Sequence, residues 1–85
     1  MDKFDLAHKE SRNNKQKLIN DIICGCFYCK KIFNAKEIKD WIDSGNDTAL
    51  CPYCGIDSVI GESNDLSITE EFLKEMHDRW FNSNN

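Results

Sequence analysis

Proline and glycine are scarce, with one and four residues in a chain of 85. That scarcity excludes flexible or proline-rich linkers and low-complexity tracts. No long apolar run is present and the mean hydropathy is −0.62, which excludes a transmembrane helix and sets membrane partners aside. The opening residues, Met1-Asp2-Lys3-Phe4-Asp5, lack a basic-then-apolar pattern. No secretory leader is expected, and the expected compartment is the cytoplasm. No histidine lies between positions 9 and 76. A zinc-knuckle nuclease of the H-N-H type needs a histidine base close to its metal finger, so that chemistry is disfavoured.

The residues that are present describe a small globular chain. Apolar residues make up 40% and charged residues 31%, too apolar for a fully disordered segment. The length predicts a single domain over 1–85, with the ends, 1–8 and 82–85, as candidates for disorder. A chain this small buries only about 60–65% of its unfolded surface, so its core needs a staple. The five cysteines are the evident source of one.

Charge is unevenly placed. Residues 1–23 carry five basic and four acidic side chains, residues 24–61 four and five, and residues 62–85 two and six. The net charge is −4, most of it at the C-terminal end. Nucleic-acid binders are usually basic, so this balance disfavours a phosphate backbone as partner.

Periodicity predicts three helices. Leu18, Ile19, Ile22 and Ile23 share one helical face, which predicts a helix from about Lys9 to Ile23. Asn34 with Glu37 reads as a capping box, Ile38, Trp41 and Ile42 as one face, and Gly45 as a C-cap; together they predict a short helix over 35–43. The last helix is predicted from Ser67, capped with Glu70, to Trp80 or Phe81, with Phe72, Leu73, Met76, Trp80 and Phe81 on its stripe. Short strands are expected at 48–50 and 56–60.

Cys26-x-x-Cys29 and Cys51-x-x-Cys54, twenty-one residues apart, form the strongest motif. Zinc wants four soft ligands at tetrahedral corners, and two such units supply one four-cysteine site. In Cys51-Pro52-Tyr53-Cys54-Gly55 the proline stiffens the turn and the glycine permits positive φ. The expected cofactor is one structural Zn2+ on Cys26, Cys29, Cys51 and Cys54, with iron as the metal that four thiolates can also take. The expected zinc core spans 24–61. A reducing compartment disfavours disulfides. Thioredoxin-like catalysis needs a larger α/β fold than 85 residues provide.

The remaining chemistry-bearing residues have bland readings beside sharp ones. Cys24 is a packed small residue, or else a reactive thiol or alternative ligand. His77 is a packing residue and His8 a solvated one, and neither is needed by a four-thiolate site. Asp57 and Ser58 make local turn bonds or face a partner. Tyr28 and Tyr53, inside the knuckles, are the candidates for an exposed aromatic patch. Lys30, Lys31, Lys36 and Lys39 form a solvated face or a minor phosphate-contacting one.

The strings Cys24-Gly25-Cys26-Phe27-Tyr28-Cys29 and Cys51-Pro52-Tyr53-Cys54-Gly55-Ile56-Asp57-Ser58-Val59-Ile60-Gly61 resemble a group of small bacterial cytoplasmic proteins with a four-cysteine, zinc-ribbon-like core. The similarity extends over roughly residues 20–81 and includes Ile38, Trp41, Ile42 and the run Ile68 to His77 followed by Trp80-Phe81. It implies a zinc-ribbon-like cytoplasmic protein and carries no activity with it.

The expected fold is therefore a small α+β zinc-stabilised domain. A double-knuckle, zinc-ribbon core holds a short inserted helix and is flanked by N- and C-terminal helices. The expected function is a non-enzymatic protein-interaction module, adaptor or inhibitor-like, with a protein partner and no catalytic residues. Two alternatives stand beside it: a nucleic-acid-binding zinc ribbon, and a thiol redox sensor using Cys24.

Overall fold

A computed structural model describes residues 2–62 and 66–81. The elements, in chain order, are α1 (Lys3–Lys9), α2 (Lys15–Leu18), β1 (Ile23–Cys26), β2 (Ile32–Asn34), a 3-10 turn (Ala35–Glu37), β3 (Trp41–Ile42), β4 (Thr48–Ala49), β5 (Val59–Gly61) and α3 (Glu70–Trp80). The fold is α+β, as expected. Strands β2-β1-β5 form an antiparallel sheet, and β3 and β4 form a separate antiparallel pair.

The three-stranded sheet separates two cores, and the pleat explains why. Alternate residues of a strand point to opposite faces. Cys24, Cys26 and Val59 join one cluster with Leu18, Phe33, Ile38, Ala49 and Cys51. Phe27 and Ile60 join the other with Ala7, Leu66, Phe72, Leu73 and Met76. Gly25 lies between these assignments for a steric reason. A Cβ there would come within 2.8 Å of Leu73 Cδ1, so glycine lets α3 press against the strand.

The expected helix over Lys9–Ile23 does not form. The chain instead makes α1 and the single turn α2, then enters β1 at Ile23. Ser11, Asn13 and Asn14 cause the break, because short polar side chains compete for backbone groups. Asn13 takes positive φ. Asn14 is buried, its amide donating to the carbonyls of Glu10 and Val59 (both 2.9 Å) and its oxygen accepting from Ala49 N–H. Of the four apolar residues only Leu18 reaches the core; Ile19 and Ile22 stay 58% and 65% exposed.

Residues 3–9 are helical, although only seven residues long. The Asp2 carboxylate caps α1 by accepting from Phe4 and Asp5 N–H. Tertiary contacts complete it: Phe4 stacks on Phe72 at 5.3 Å, and the Arg79 guanidinium lies 4.5 Å from the Phe4 ring. The expected disorder at 82–85 concerns residues outside those described.

The expected helix over 35–43 is one 3-10 turn. Its capping box is present: Asn34 Oδ1 accepts from Lys36 N–H, and Glu37 accepts from Asn34 N–H. The chain then extends at Ile38 and pairs Trp41–Ile42 with Thr48–Ala49. Gly45, with φ of +100°, serves that hairpin instead of capping a helix. Ile38, Trp41 and Ile42 have β-branched or aromatic side chains, which favour the strand once a partner is adjacent. Helix α3 forms as expected, but its cap is Thr69, whose hydroxyl accepts from Phe72 N–H at 3.1 Å.

Candidate metal centre

The two Cys-x-x-Cys units fold into knuckles of the same design. In the first, Lys30 N–H donates to the Cys26 carbonyl (2.7 Å) and Cys26 N–H donates to the Lys31 carbonyl (3.0 Å). In the second, Gly55 N–H donates to the Cys51 carbonyl (2.9 Å) and Cys51 N–H to the Ile56 carbonyl (3.0 Å). Each knuckle aims one further amide at sulfur: Tyr28 N–H at Cys26 Sγ (3.4 Å) and Tyr53 N–H at Cys51 Sγ (3.3 Å). These bonds stabilise a thiolate and orient it.

The residue after each second cysteine must take positive φ. Gly55 does so at +79° without steric cost. Lys30 does so at +66°, where a Cβ is disfavoured by about 1–2 kcal/mol. The sequence reading identified the glycine and missed the lysine. Superimposing the two motifs residue by residue was the available signal.

Strands β1 and β2 carry the first knuckle, and the segment between β4 and β5 carries the second. Together they bring Cys26, Cys29, Cys51 and Cys54 to one point, with all four sulfurs within 4.8 Å of one another. Cys26 Sγ and Cys54 Sγ are 3.6 Å apart, and Cys29 Sγ and Cys51 Sγ 3.7 Å. A tetrahedron with metal–sulfur bonds of about 2.3 Å has edges of about 3.8 Å, so the spacing fits a single ion. All five cysteines are free, and these separations far exceed a disulfide bond of about 2.05 Å.

Burial pushes the Cys26 and Cys54 thiols up, the direction that disfavours thiolate. Burial acts the same way on Cys51, but the Tyr53 and Cys54 amides and the neighbouring thiols outweigh it and hold that thiol lower. A bound divalent cation reverses the balance, because a coordinating thiol is deprotonated outright. The four cysteines can therefore hold a metal ion.

Cys24 is outside this group. It is fully buried, and its thiol donates to the Phe33 carbonyl at 3.6 Å. Burial, reinforced by Asp21 and Glu37, pushes it up to about 12. A reactive thiol needs exposure and a lowered pKa, and Cys24 has neither. It packs as a small apolar residue.

Neither histidine belongs to the four-sulfur group. His8 stacks on Trp80 at 4.4 Å and 11°. His77 lies among Tyr28, Phe81 and the Asp78 carboxylate. Tyr28 and Tyr53 are exposed, at 43% and 52%. Tyr28 sits edge-on to Phe81 at 4.9 Å. The Tyr53 hydroxyl donates to Glu37, which holds that carboxyl below the ordinary range and pushes the phenol up. Ser58 is buried, and its carbonyl accepts from Phe27 N–H; Asp57 stays exposed. The four lysines divide among three surface hollows. Lys30 and Lys31 lie beside Cys29 and Tyr53, Lys36 beside Trp41, and Lys39 beside Asp40 and Pro52.

No helix among the described residues is long and apolar enough to cross a membrane. Comparison with known proteins finds no matching family model, no similar curated protein and no similar solved structure.

Proposed function

We propose that the protein is a structural-zinc module of zinc-ribbon type that acts by binding another protein and performs no catalysis. The observation that carries this reading is the donor set. Four cysteine sulfurs lie within 4.8 Å of one another, enough donors to fill every position of a tetrahedral ion. A zinc ion held so has no open position for water or substrate, which is the mark of a structural site. Zinc is favoured over the harder divalent cations because every donor is a thiolate. Free thiols throughout suit a reducing compartment such as the cytoplasm.

The contact surface proposed is the aromatic rim above the first knuckle, formed by Tyr28, His77 and Phe81. Exposed aromatic side chains on a rigid support are the usual anchors of protein interfaces. The acidic outer face of α3, with Glu71, Glu75 and Asp78, adds charge suited to a basic partner. Metal analysis with native and denaturing mass spectrometry tests the first half of the reading; one zinc per chain is expected, and a metal-free folded protein would overturn it. Pull-down from the native host with the zinc-loaded chain tests the second. A partner captured by the wild type and released by Tyr28→Ala supports the rim, and recovery of no stable partner removes it.

A second reading, nucleic-acid binding, draws on Lys30 and Lys31 beside the knuckle, with Lys31 5.3 Å from the Tyr53 ring centre. It predicts binding that falls steeply with salt. No shift of DNA or RNA at low salt would remove it.

A further inference from the structure

The loop after α1 borders an open cleft of about 700 Å³, which Phe27 of the first knuckle and Asp57 and Ser58 after the second also line. Its apolar surfaces are Phe27 and Phe81, with ring centres 5.6 Å apart, and the His8 ring 6.2 Å from Phe27. Lys9 and Arg12 supply positive charge, and Asp57 is the one carboxylate of the lining among the described residues. A second hollow of about 260 Å³ continues from it, sharing Arg12, Asn13 and Asp57.

Two features make this cleft more than a gap between side chains. First, the basic loop is held in place. The buried Asn14 amide ties it to β4 and β5, Asn13 N–H donates to Thr48 Oγ1 at 2.8 Å, and Asn13 Oδ1 accepts from Ser44 at 2.6 Å. Second, the two cations are unmatched. Lys9 and Arg12, like most lysines of the chain, form no ion pair among the described residues, and both are exposed, so their charges are open to a ligand. In a chain of net charge −4, a preorganised cationic loop beside an aromatic wall is a local reversal of the general field.

We infer that this cleft binds a free nucleoside monophosphate. The base stacks on Phe81, the phosphate meets Lys9 and Arg12, and Asp57 accepts from the sugar hydroxyls. The volume lies within the roughly 300–1,000 Å³ of small-molecule sites. The three kinds of group a nucleotide presents, aryl ring, hydroxyl donors and anion, match the three the cleft supplies. This inference goes beyond the partner reading above; the two surfaces share Phe81, and the cationic loop belongs to the cleft alone.

The test is an amide-resolved NMR titration of the zinc-loaded full chain with AMP, UMP, inorganic phosphate and a short single-stranded oligonucleotide. Concentrations run to about 10 mM, so that a weak millimolar site is still seen. The expected result is saturable shifts confined to residues 8–13, 57, 58 and 81 with the mononucleotides. Affinity is expected to fall at least about tenfold in Arg12→Glu, the loss of one charge-assisted contact. Because Phe81→Ala also touches the packing of Phe27, Asp57→Asn is the second variant. It leaves the fold and phosphate response intact while weakening the nucleotides. Equal response to inorganic phosphate and nucleotides would reduce the cleft to an anion site and overturn the inference. Response to the oligonucleotide alone would transfer it to a strand, and no saturable response would remove it.

Discussion

The two faces of the β2-β1-β5 sheet are covered by different chemistry. On one face lie Cys24, Cys26 and Val59, closed over by the second knuckle and the β3–β4 pair. On the other lie Phe27 and Ile60, closed over by α1 and α3 through stacked rings and aliphatic packing. On the first face each knuckle is shaped by hydrogen bonds between residues two to five apart, and the four sulfurs so placed can hold a cation. The helix face is positioned by contacts between distant residues, such as Phe4 with Phe72 and Gly25 with Leu73, and needs only apolar area. One small domain thus joins a potential clamp, four sulfurs that can hold a metal, to an ordinary hydrophobic core.

The largest effect should come from removing the clamp. Structural zinc contributes on the order of 10 kcal/mol in finger peptides, as much as the whole stability of a small domain. Chelation at neutral pH, or Cys51→Ser, is expected to abolish the cooperative thermal transition and near-UV signal. An unchanged melting curve after complete metal removal would show that the helix face alone holds the fold.

Next comes the opposite face. Leu73 is fully buried against Gly25, and Leu73→Ala is expected to destabilise by about 2–5 kcal/mol. The variant should still bind one zinc per chain, because Leu73 belongs to a different core cluster from Cys26 and Cys51. If metal stoichiometry falls with stability in denaturant titrations, the two faces are a single cooperative unit.

The two knuckles allow a finer comparison. Gly55→Ala places a Cβ at φ of +79° and is expected to cost about 1 kcal/mol; Lys30→Gly removes one at +66° and is expected to be neutral or stabilising by up to about 1 kcal/mol. Equal and opposite shifts in the denaturation midpoint would establish that the knuckles are energetically as well as geometrically equivalent. A loss of stability in Lys30→Gly would refute that.

The smallest effect concerns pH. Glu62 accepts from Ile23 and Ile22 N–H, both at 3.1 Å, which holds its carboxyl below the ordinary range. A folded pKa depressed in this way contributes stability above the unfolded value, and that contribution is lost as pH falls through the folded one. Glu62→Gln should therefore lower stability slightly at neutral pH and converge on the wild type in acid. Parallel curves across the acid range would show that the carboxylate contributes nothing.

The cysteine centre was legible in the sequence. Each Cys-x-x-Cys unit is a local device, and its geometry follows from a few backbone bonds within it. Helix α3 was legible for a similar reason: eleven residues with one unbroken apolar stripe leave little choice. The failures cluster where short segments compete. Leu18, Ile19, Ile22 and Ile23 carry a helical period, but Asn14 captures the backbone from across the molecule and turns the stretch into a loop and a strand. The capping box at Asn34 is present, yet Trp41 and Ile42 leave the helix because Thr48 and Ala49 offer a ladder.

By itself, then, the sequence determined what depends on residues within one turn of each other: the two knuckles, their donor atoms, the cap at Asn34 and the amphipathic last helix. Only the tertiary structure decided that Cys24 is buried outside the cluster that its sequence neighbours Cys26 and Cys29 join. It also decided that His8 lies on Trp80 and that Lys9 and Arg12 meet Phe81 across a cleft. Those outcomes depend on which distant surface arrives to compete for the same side chain. No local spacing encodes that.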